Sequence, residues 1–486
     1  MIRPRAERNP QGSKGKGSKG LDVMRESTRS ERKQDGAQGP GEAEVRERTG
    51  GKPQMAVEEQ ERPAIDQDAT MEEVLARSNM FEALKRVQEN RGAAGVDGMT
   101  VEEVAGYLRV HWPRIREELL EGRYRPSPVK RVEIPKGDGG SRTLGIPTVV
   151  DRVIQQAVNQ VLQEKWDPTF SEHSHGFRKN RSAHGAIVEA QRYIQSGLSW
   201  VVDIDLERFF DRVNHDRLMA AVAKRVTDKR LLRLLRRYLE AGAVLGEGLV
   251  KPTDEGVAQG GPLSPLLSNL VLDELDKELE RRGLSFVRYA DDCNIYVGSE
   301  RAGLRVMESI GRYLTGRMKL RLNEAKSAVD RPSQRKFLGF SFTIGGGKRR
   351  IAPRSIEKVK EKIRERTGRS EGKSLRQVIG SLNAYLRGWY GYYGACEARS
   401  ILRDLDSWMR HRLRALLWEG WKNNRKRVEE LLKQGADRDL VFQTIWQRFK
   451  AWRGGNSRVM NVVFDRAWFR RQGLFSLAEA APVVIA

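Results

Sequence analysis

The sequence predicts an α+β fold, in which short strands alternate with amphipathic helices and the C-terminal third is helical. Two hairpin patterns supply the strands: VKRVEIPKGDGGSRTLGIPT has β-forming runs on both sides of a Gly-rich turn, and FVRYADDCNIYV has them on both sides of an acidic turn. Apolar residues at helical spacing recur between and after the hairpins, as in DRVIQQAVNQVLQEKW and ARSILRDLDSWMRHRLRALLWEGW.

The composition favours a globular intracellular protein. The chain has 486 residues, 38% of them hydrophobic, which is enough for several domains with their own cores. It has no apolar run long enough to cross a bilayer, and its N-terminus lacks the apolar segment of a secretory signal. Its two cysteines, Cys293 and Cys396, are too few for a disulfide framework or a Cys-ligated zinc site. We expect a cytoplasmic protein without membrane partners, with the nucleoid as an alternative location.

Positive charge is concentrated in the C-terminal third. Residues 348–486 carry a net charge of +17 out of +24 for the whole chain, and they hold seven of the ten tryptophans. Basic side chains interleaved with aromatic ones suit phosphate contacts and base stacking. We expect most of these tryptophans to be core residues of a helical bundle, and we take the charge as the sign of a polyanionic partner.

The N-terminal part begins with a tail and leads to the first hairpin. Residues 1–65 contain few large apolar side chains, which predicts disorder because little surface can be buried. Helical patterns follow up to the hairpin, which carries Arg131, Lys136 and Arg142 around its GDGG turn.

The segment VVDIDLERFFD alternates like a strand, and Phe209 and Phe210 then open a helix. Apolar residues fall on one face of the strand and acidic residues on the other: Val202, Ile204 and Leu206 against Asp203, Asp205 and Glu207. A strand end that presents an aspartate beside a helix start is a common arrangement for an ion site. A solvated acidic strand face is the alternative interpretation.

The second hairpin places Asp291 and Asp292 inside a run that otherwise suits burial. Two like charges at such a bend repel, and half-buried carboxylates lose hydration. An ordinary polar turn is one interpretation, because Asp is common in turns. A divalent metal site is the other, because Mg²⁺ prefers carboxylate oxygens. The metal site needs a third carboxylate, which the acidic strand 86 residues earlier could supply.

Between the two acidic segments lies AQGGPLSPLLSNLVLDELDKELE. Its glycines predict a backbone that approaches its neighbours closely, and the rest of the segment has helical spacing. Gln259 is either a plain turn residue or part of a substrate pocket, and we favour the pocket because of the acidic strands on either side.

Seven motifs now give the chain a recognisable resemblance to a family. They are DLERFFD at 205–211, HGFRKNRSAH at 175–184, AQGGPLSPLLSN at 258–269, YADD at 289–292, LNEAK at 322–326, FLGF at 337–340 and LNAYLRGWYGYY at 382–393. In their order along the chain they resemble the group II intron-encoded reverse transcriptases and maturases of bacteria, in the compact class IIC-like form without an endonuclease domain.

The resemblance implies a right-hand polymerase with fingers, a palm whose antiparallel sheet packs on helices, and an α-helical thumb. The implied divisions are an N-terminal extension and fingers at 66–200, a palm with finger-derived segments at 201–345, a thumb or maturase X domain at 346–425 and a reduced DNA-binding region at 426–486. The implied activity is RNA-directed DNA synthesis that copies the intron RNA into cDNA, with RNA binding that promotes splicing and retrohoming. The implied partners are group II intron RNA, an RNA template, a DNA primer or target DNA, and dNTPs.

The resemblance also assigns roles to single residues. Asp205, Asp291 and Asp292, with the backbone of Leu206, would bind two Mg²⁺ ions, for which Mn²⁺ could substitute; Asp203 is the rival at the first position. The nucleotide would be bound by Arg131, Lys136, Arg142, Arg152 and Gln259, with Phe209 or Phe210 excluding a ribose 2′-OH. Primer and template would meet Tyr289, Lys326, Gly339 and Arg178. RNA or DNA would contact Arg387, Trp389, Lys422, Arg425, Lys426 and Arg427.

Two other functions stay open. One is a splicing-only maturase that binds RNA but no longer polymerises, for which we would expect an eroded YADD motif. The other is a different bacterial retroelement polymerase, such as a retron or diversity-generating enzyme, which would be shorter and lack the long thumb segment around LNAYLRGWYGYY.

Overall fold

The computed structural model describes residues 68–135, 141–245, 248–251, 255–368 and 372–484. The tail predicted to be disordered at residues 1–65 and the hairpin tip with Lys136 lie outside these ranges. Among the described helices, none is both long and apolar enough to span a bilayer.

The first part of the described chain is helical apart from one long hairpin. Its elements are α1 (Met71–Val74), α2 (Arg77–Glu89), α3 (Val104–Leu120), β1 (Val129–Pro135), β2 (Ser141–Ile146), α4 (Val149–Trp166) and α5 (Ala183–Gln195). The helical pattern that begins at Met71 is split into two helices. The first begins with a capping box, in which the side chains of Thr70 and Glu73 each accept a hydrogen bond from the other residue's backbone N–H.

The middle of the chain contains most of the strands. Its elements are β3 (Trp200–Ile204), α6 (His215–Ala223), α7 (Lys229–Glu240), β4 (Ala243–Leu245), β5 (Leu249–Lys251), α8 (Ser264–Arg281), β6 (Ser285–Tyr289), β7 (Asp292–Val297), α9 (Glu300–Tyr313), β8 (Ala328–Asp330), β9 (Phe340–Phe342) and β10 (Arg349–Ile351). Together with β1 and β2, these strands form a four-stranded sheet in the order β2-β1-β4-β5, a second four-stranded sheet in the order β6-β7-β3-β8, and the separate pair β9-β10.

Both predicted hairpins are present. In the first, β1 and β2 are antiparallel, with Ile134 opposite Arg142. In the second, β6 and β7 are antiparallel, and Tyr289 and Asp292 form the last pair before the turn. The second hairpin belongs to the sheet that we call the central sheet, β6-β7-β3-β8, whose neighbouring strands are all antiparallel.

Both faces of the central sheet are covered. Val202 and Ile204 belong to one hydrophobic core, which they share with residues of α6, α8 and α9. Val201 belongs to a second core, which it shares with residues of α5 and of the C-terminal helices. Val202, Ile204 and Leu206 share the first core, so the predicted apolar face of β3 is confirmed. The opposite face carries Asp203 together with the buried Val201.

The last part of the described chain is helical, as predicted. Its elements are α10 (Pro353–Arg366), α11 (Leu375–Tyr393), α12 (Ser400–Gly420), α13 (Asn424–Lys433), α14 (Arg438–Trp446), α15 (Ala451–Gly455), α16 (Arg458–Val463) and α17 (Arg466–Arg471). The chain after α12 continues in short helices, of which α13, α14 and α15 follow one another directly. Together with the strands and helices before it, this arrangement confirms the predicted α+β class.

Candidate active site

A cavity of about 1230 Å³ opens beside the first hairpin, the end of β3 and the β6–β7 turn. The side chains around it come from distant parts of the sequence. The predicted site residues that line it are Arg131, Arg142, Asp205, Leu206, Phe209, Phe210, Gln259, Asp291 and Lys326.

A second cavity, of about 670 Å³, adjoins the first, because Asp205, Asp291 and Lys326 line both. Asp292 lines the second cavity, together with Asp203. The structure thus brings all three predicted metal ligands to adjoining cavities, although Asp205 and Asp291 are 86 residues apart in the sequence.

Strand register explains how Asp205 meets the acidic turn. Ile204 of β3 lies opposite Cys293 of β7, so the following residue, Asp205, is level with Asp292. The backbone of Asp205 is also held from the other side: its N–H donates to Ser327 Oγ at 3.0 Å, and its carbonyl accepts from the Asn323 N–H at 2.9 Å.

The charged form of the Asp292 carboxyl is destabilised at this site. Burial, followed by the negative charges of Asp203, Asp291 and Asp205, raises the pKa of the Asp292 carboxyl to about 8. The positive charge of Lys336 acts in the opposite direction. A divalent cation would remove this repulsion, so the residues present fit a metal site.

The fit is that of an open site rather than a closed cage. In the part of the chain that the structure describes, no group of three or more His, Cys, Asp or Glu side chains is arranged to hold a metal ion alone. Mg²⁺ is usually bound through one or two carboxylates together with substrate phosphates. The three aspartates would therefore need ligands from a bound nucleotide to complete the coordination.

Asp203, the rival first ligand, has another partner. Arg335 donates to its Oδ2 from Nε at 2.9 Å and from Nη2 at 2.5 Å. The pKa of the Asp203 carboxyl is nevertheless raised, mainly by burial. Because Arg335 already neutralises Asp203, Asp205 is the better candidate for a metal ligand.

The Gly-rich loop before α8 packs tightly on β2. The Gly145 N–H donates to the Gln259 carbonyl at 2.8 Å, and a Cβ on Gly260 would lie 2.8 Å from the Gly145 carbonyl oxygen. Gly260 also has φ +129°, which side chains rarely allow. The predicted close approach is confirmed, and it places Gln259 at the wall of the larger cavity.

The two aromatic candidates differ in exposure. Phe209 is buried and Phe210 is partly exposed, their rings meet edge to face with centroids 5.3 Å apart, and both line the larger cavity. They lie in a single 3₁₀ turn, Phe209–Asp211, instead of opening the predicted helix.

Two predicted contact residues lie inside the protein instead. Arg152 is buried, and its Nη2 donates to the Ala93 carbonyl at 2.7 Å. Arg178 is buried, and its guanidinium donates to the Asp167 carboxylate and to the carbonyls of Ser171 and Ser174. The prediction that these two side chains touch nucleotide or primer is therefore corrected, because internal hydrogen bonds occupy Arg178 and Arg152 is buried against the Ala93 carbonyl.

Tyr289 and Gly339 lie near the helical C-terminal part. Tyr289 is half-buried and packs against the second core. Gly339 has φ +83°, and a Cβ there would lie 2.6 Å from the Tyr393 hydroxyl oxygen, so this position requires glycine.

The predicted nucleic-acid contacts of the C-terminal third are mostly exposed. Arg387, Lys422, Arg425 and Lys426 are exposed, while Trp389 and Arg427 are half-buried. Lys426 pairs with Glu430 at 2.9 Å, and the Arg427 guanidinium lies 4.8 Å from the Trp418 ring centroid. Arg387, Lys422 and Arg425 therefore present positive charge to solvent.

The seven C-terminal tryptophans divide as predicted, with two exceptions. Trp418 is buried, and four others pack against the second core: Trp389, Trp408, Trp421 and Trp468. Trp446 and Trp452 are 81% and 41% exposed. These two are available for contact with a partner.

Sequence reasoning missed the residues that support the acidic turn. Arg288 is buried in β6, and its guanidinium contacts the turn directly. A charged residue at an inward position of an apolar strand was the available signal, because such a residue needs a buried partner.

Comparisons with known proteins agree with the motifs. The family described as "Reverse transcriptase (RNA-dependent DNA polymerase)" matches residues 134–342, and the family described as "Group II intron, maturase-specific domain" matches residues 356–435.

Individual relatives cover part of the chain. "Protein YkfC" of Escherichia coli is 34% identical over 290 residues, which are 51% of this chain and 76% of that protein. "Group II intron-encoded protein LtrA" of Lactococcus lactis is 28% identical over 330 residues, so this chain spans about half (55%) of that relative. Among solved structures, a chain of the "Partial Cas6-RT-Cas1--Cas2 complex" is 22% identical with a TM-score of 0.33, covering 50% of this chain and 42% of that one.

Proposed function

The chain belongs to the family of group II intron-encoded reverse transcriptases and maturases, and on that premise we propose that it copies its intron RNA into cDNA and binds the same RNA to promote splicing and retrohoming. The observation that carries the proposal is the larger cavity, which is lined by Asp205 and Asp291 and also by Arg131, Arg142 and Gln259. Acidic groups for metal and basic groups for phosphate in one cavity suit a nucleoside triphosphate.

Two Mg²⁺ ions, or Mn²⁺ in their place, would be held by the carboxylates of Asp205, Asp291 and Asp292 and by the carbonyl of Leu206. When bound, such a pair of ions stabilises both the attacking 3′-oxygen and the leaving pyrophosphate of an in-line displacement. Support for this assignment comes from the raised pKa of the Asp292 carboxyl, which reflects burial first and then the negative charges of the neighbouring aspartates.

Other residues that line the cavity would bind and orient the nucleotide. Arg131 and Arg142 lie on the β1–β2 hairpin and would neutralise the triphosphate. Gln259 is fixed by the Gly-rich loop and offers an amide to the nucleotide. Phe209 or Phe210 would exclude a ribose 2′-OH by its bulk, which discriminates against the wrong sugar by steric clash.

Primer and template would continue from the cavity toward the C-terminal helices. Lys326 lines both cavities, and Tyr289 and Gly339 lie near the second core. The net charge of +17 on residues 348–486 suits a long RNA or DNA ligand. In this proposal residues 66–200 form the N-terminal extension and fingers, 201–345 the palm, 346–425 the thumb and 426–486 the DNA-binding region, in a cytoplasmic protein.

The two alternative functions have less support. A splicing-only maturase would not need three carboxylates around adjoining cavities, yet this chain has them. A retron or diversity-generating polymerase would not explain the match of residues 356–435 to the maturase-specific family.

Two assays on the purified protein test the proposal. We expect extension of a DNA primer on an RNA template with Mg²⁺ and dNTPs, and faster self-splicing of the cognate intron RNA at low Mg²⁺. Splicing without extension would leave the splicing-only maturase, and extension without splicing would remove the maturase part of the proposal.

A further inference from the structure

Arg288 of β6 carries a permanent charge in a place where water cannot reach it. The residue is 0% exposed, and a guanidinium does not lose its proton in proteins. Asp276 of α8, which is also 0% exposed, supplies the counter-charge: Nε and Nη2 of Arg288 donate to its two carboxylate oxygens at 2.7 and 2.5 Å. This two-point geometry is the strong form of an Arg–carboxylate pair.

The remaining N–H groups of Arg288 reach three other segments. Nη1 donates to Asn269 Oδ1 at 3.0 Å and to the Ala290 carbonyl at 2.9 Å, and Nη2 donates to Ser174 Oγ at 2.7 Å. All five guanidinium N–H groups therefore have acceptors. A lysine has the same charge but cannot offer this fork of donors.

The Ala290 carbonyl matters because of its position. Ala290 precedes Asp291 and has φ +58°, a left-handed conformation that an alanine rarely adopts. The hydrogen bond from Arg288 holds the carbonyl of this strained residue. Without such an external hold, the turn would relax toward commoner conformations and carry Asp291 and Asp292 with it.

The same cluster closes the other side of the turn. A Cβ on Gly176 would lie 2.2 Å from the Ala290 nitrogen, so the two backbones are in direct contact. Asn269, which accepts from Arg288, donates to the Gly176 carbonyl at 2.8 Å. Ala290 is thus held between a hydrogen bond to its carbonyl and a backbone packed against its nitrogen.

We propose that Arg288 is a positioning residue, whose buried guanidinium fixes the left-handed turn at Ala290 and so sets the metal affinity of Asp291 and Asp292. The inference rests on the proposed function, because it concerns the same carboxylates. Arg288 itself touches no substrate; it acts through the turn.

The test compares Arg288→Lys with Arg225→Lys as a matched control. Arg225 forms a partly buried ion pair with Asp273, on the same helix as Asp276, at 3.0 Å, and it also donates to Thr169. Its described hydrogen bonds do not reach the β6–β7 turn. Both substitutions keep the charge and remove a fork of donors, so both should lower the melting temperature.

Metal affinity is measured directly as Mn²⁺ binding, by the loss of the free Mn²⁺ electron paramagnetic resonance signal. The sample is the protein with an RNA template, a dideoxy-terminated DNA primer and a dNTP, so that no turnover occurs. We expect the Mn²⁺ concentration for half-saturation to rise about 10- to 100-fold in Arg288→Lys and to stay near wild type in Arg225→Lys. Equal shifts in both variants, or no shift in Arg288→Lys, would overturn the proposal.

A second substitution tests the route through the turn. Glycine adopts positive φ without steric cost, so Ala290→Gly added to Arg288→Lys should recover part of the lost Mn²⁺ affinity. A double variant that binds Mn²⁺ no better than Arg288→Lys would show that Arg288 does not act through the turn.

If Arg288→Lys does not fold, Asn269→Ala takes its place: weaker Mn²⁺ binding than in Arg225→Lys would support the proposal, and unchanged binding would overturn it. Normal Mn²⁺ binding by a wild-type protein that extends no primer would instead count against the proposed function.

Discussion

Gly260 is the position at which the structure allows the sharpest prediction about substrate binding. Its φ of +129° is strained for any residue with a side chain, and an alanine Cβ would lie 2.8 Å from the Gly145 carbonyl oxygen, which is too close for contact. The obstacle is backbone, so no side chain can swing away. Relief requires the loop to move off β2, and that movement breaks the hydrogen bond from the Gly145 N–H to the Gln259 carbonyl.

The expected cost of Gly260→Ala follows from these two effects. A residue in a sparsely populated backbone region costs about 1 to 3 kcal/mol, and the lost hydrogen bond adds about 1 kcal/mol. We therefore expect the free energy of unfolding to fall by roughly 2 to 4 kcal/mol. Because the loop carries Gln259 into the cavity, the KM for dNTP should rise as well.

Gly388→Ala is the matched control for Gly260→Ala. Gly388 lies inside α11, a Cβ there would meet nothing within 4 Å, and its φ is not positive. Alanine should stabilise this helix by about 1 kcal/mol and leave the KM for dNTP unchanged. Denaturant unfolding and steady-state primer extension measure both quantities. A Gly260→Ala protein with wild-type stability and wild-type KM would refute the close-approach argument.

Three further predictions concern the acidic turn, the basic surface and a half-buried histidine, His173. Replacing Asp291 and Asp292 together by Ala should abolish primer extension yet keep RNA binding in a filter assay, since the positive charge lies elsewhere; lost RNA affinity would contradict this division. RNA affinity of the wild-type protein should fall steeply with salt because bound counterions are released, and a flat response would argue against a polyanion partner. Glu189 raises the pKa of His173 through their hydrogen bond. The pair therefore stabilises the fold fully when the pH is below the pKa of an unfolded histidine. This stabilisation is lost as the pH rises through the pKa of His173 in the folded protein. The stability difference between wild type and His173→Asn should therefore shrink from pH 6 to pH 9, and a constant difference would disprove the linkage.

Local patterns predicted the parts of the site that depend on strand and turn chemistry. The acidic hairpin and the close approach of the Gly-rich loop follow from residues adjacent in sequence. The position of Gln259 in a cavity was inferred from the acidic strands on either side of it. The convergence of Asp205 on the hairpin needed the additional assumption that the two strands pair, and the register of β3 and β7 bears it out.

Long-range partners were beyond the reach of those patterns. Arg178 and Arg152 have the same local signature as a surface phosphate ligand, and only their contacts with Asp167 and Ala93 show that they are internal. Asp203 and Asp205 likewise look equivalent in sequence. They are distinguished by Arg335, which lies 132 residues away from Asp203.

Because both faces of the central sheet are covered, the chain cannot easily be divided into fragments that fold by themselves. Val201 belongs to the core that the C-terminal helices complete, while its neighbour Val202 belongs to the other core. A fragment that ends before α10 would lack the C-terminal helices that cover Val201, Val287 and Tyr296. It would therefore expose apolar surface on the strands that carry the acidic turn. Strand β3 contributes to both cores, so the strand-rich middle part and the helical C-terminal part depend on each other. We expect that neither part, expressed alone, is a soluble folded protein.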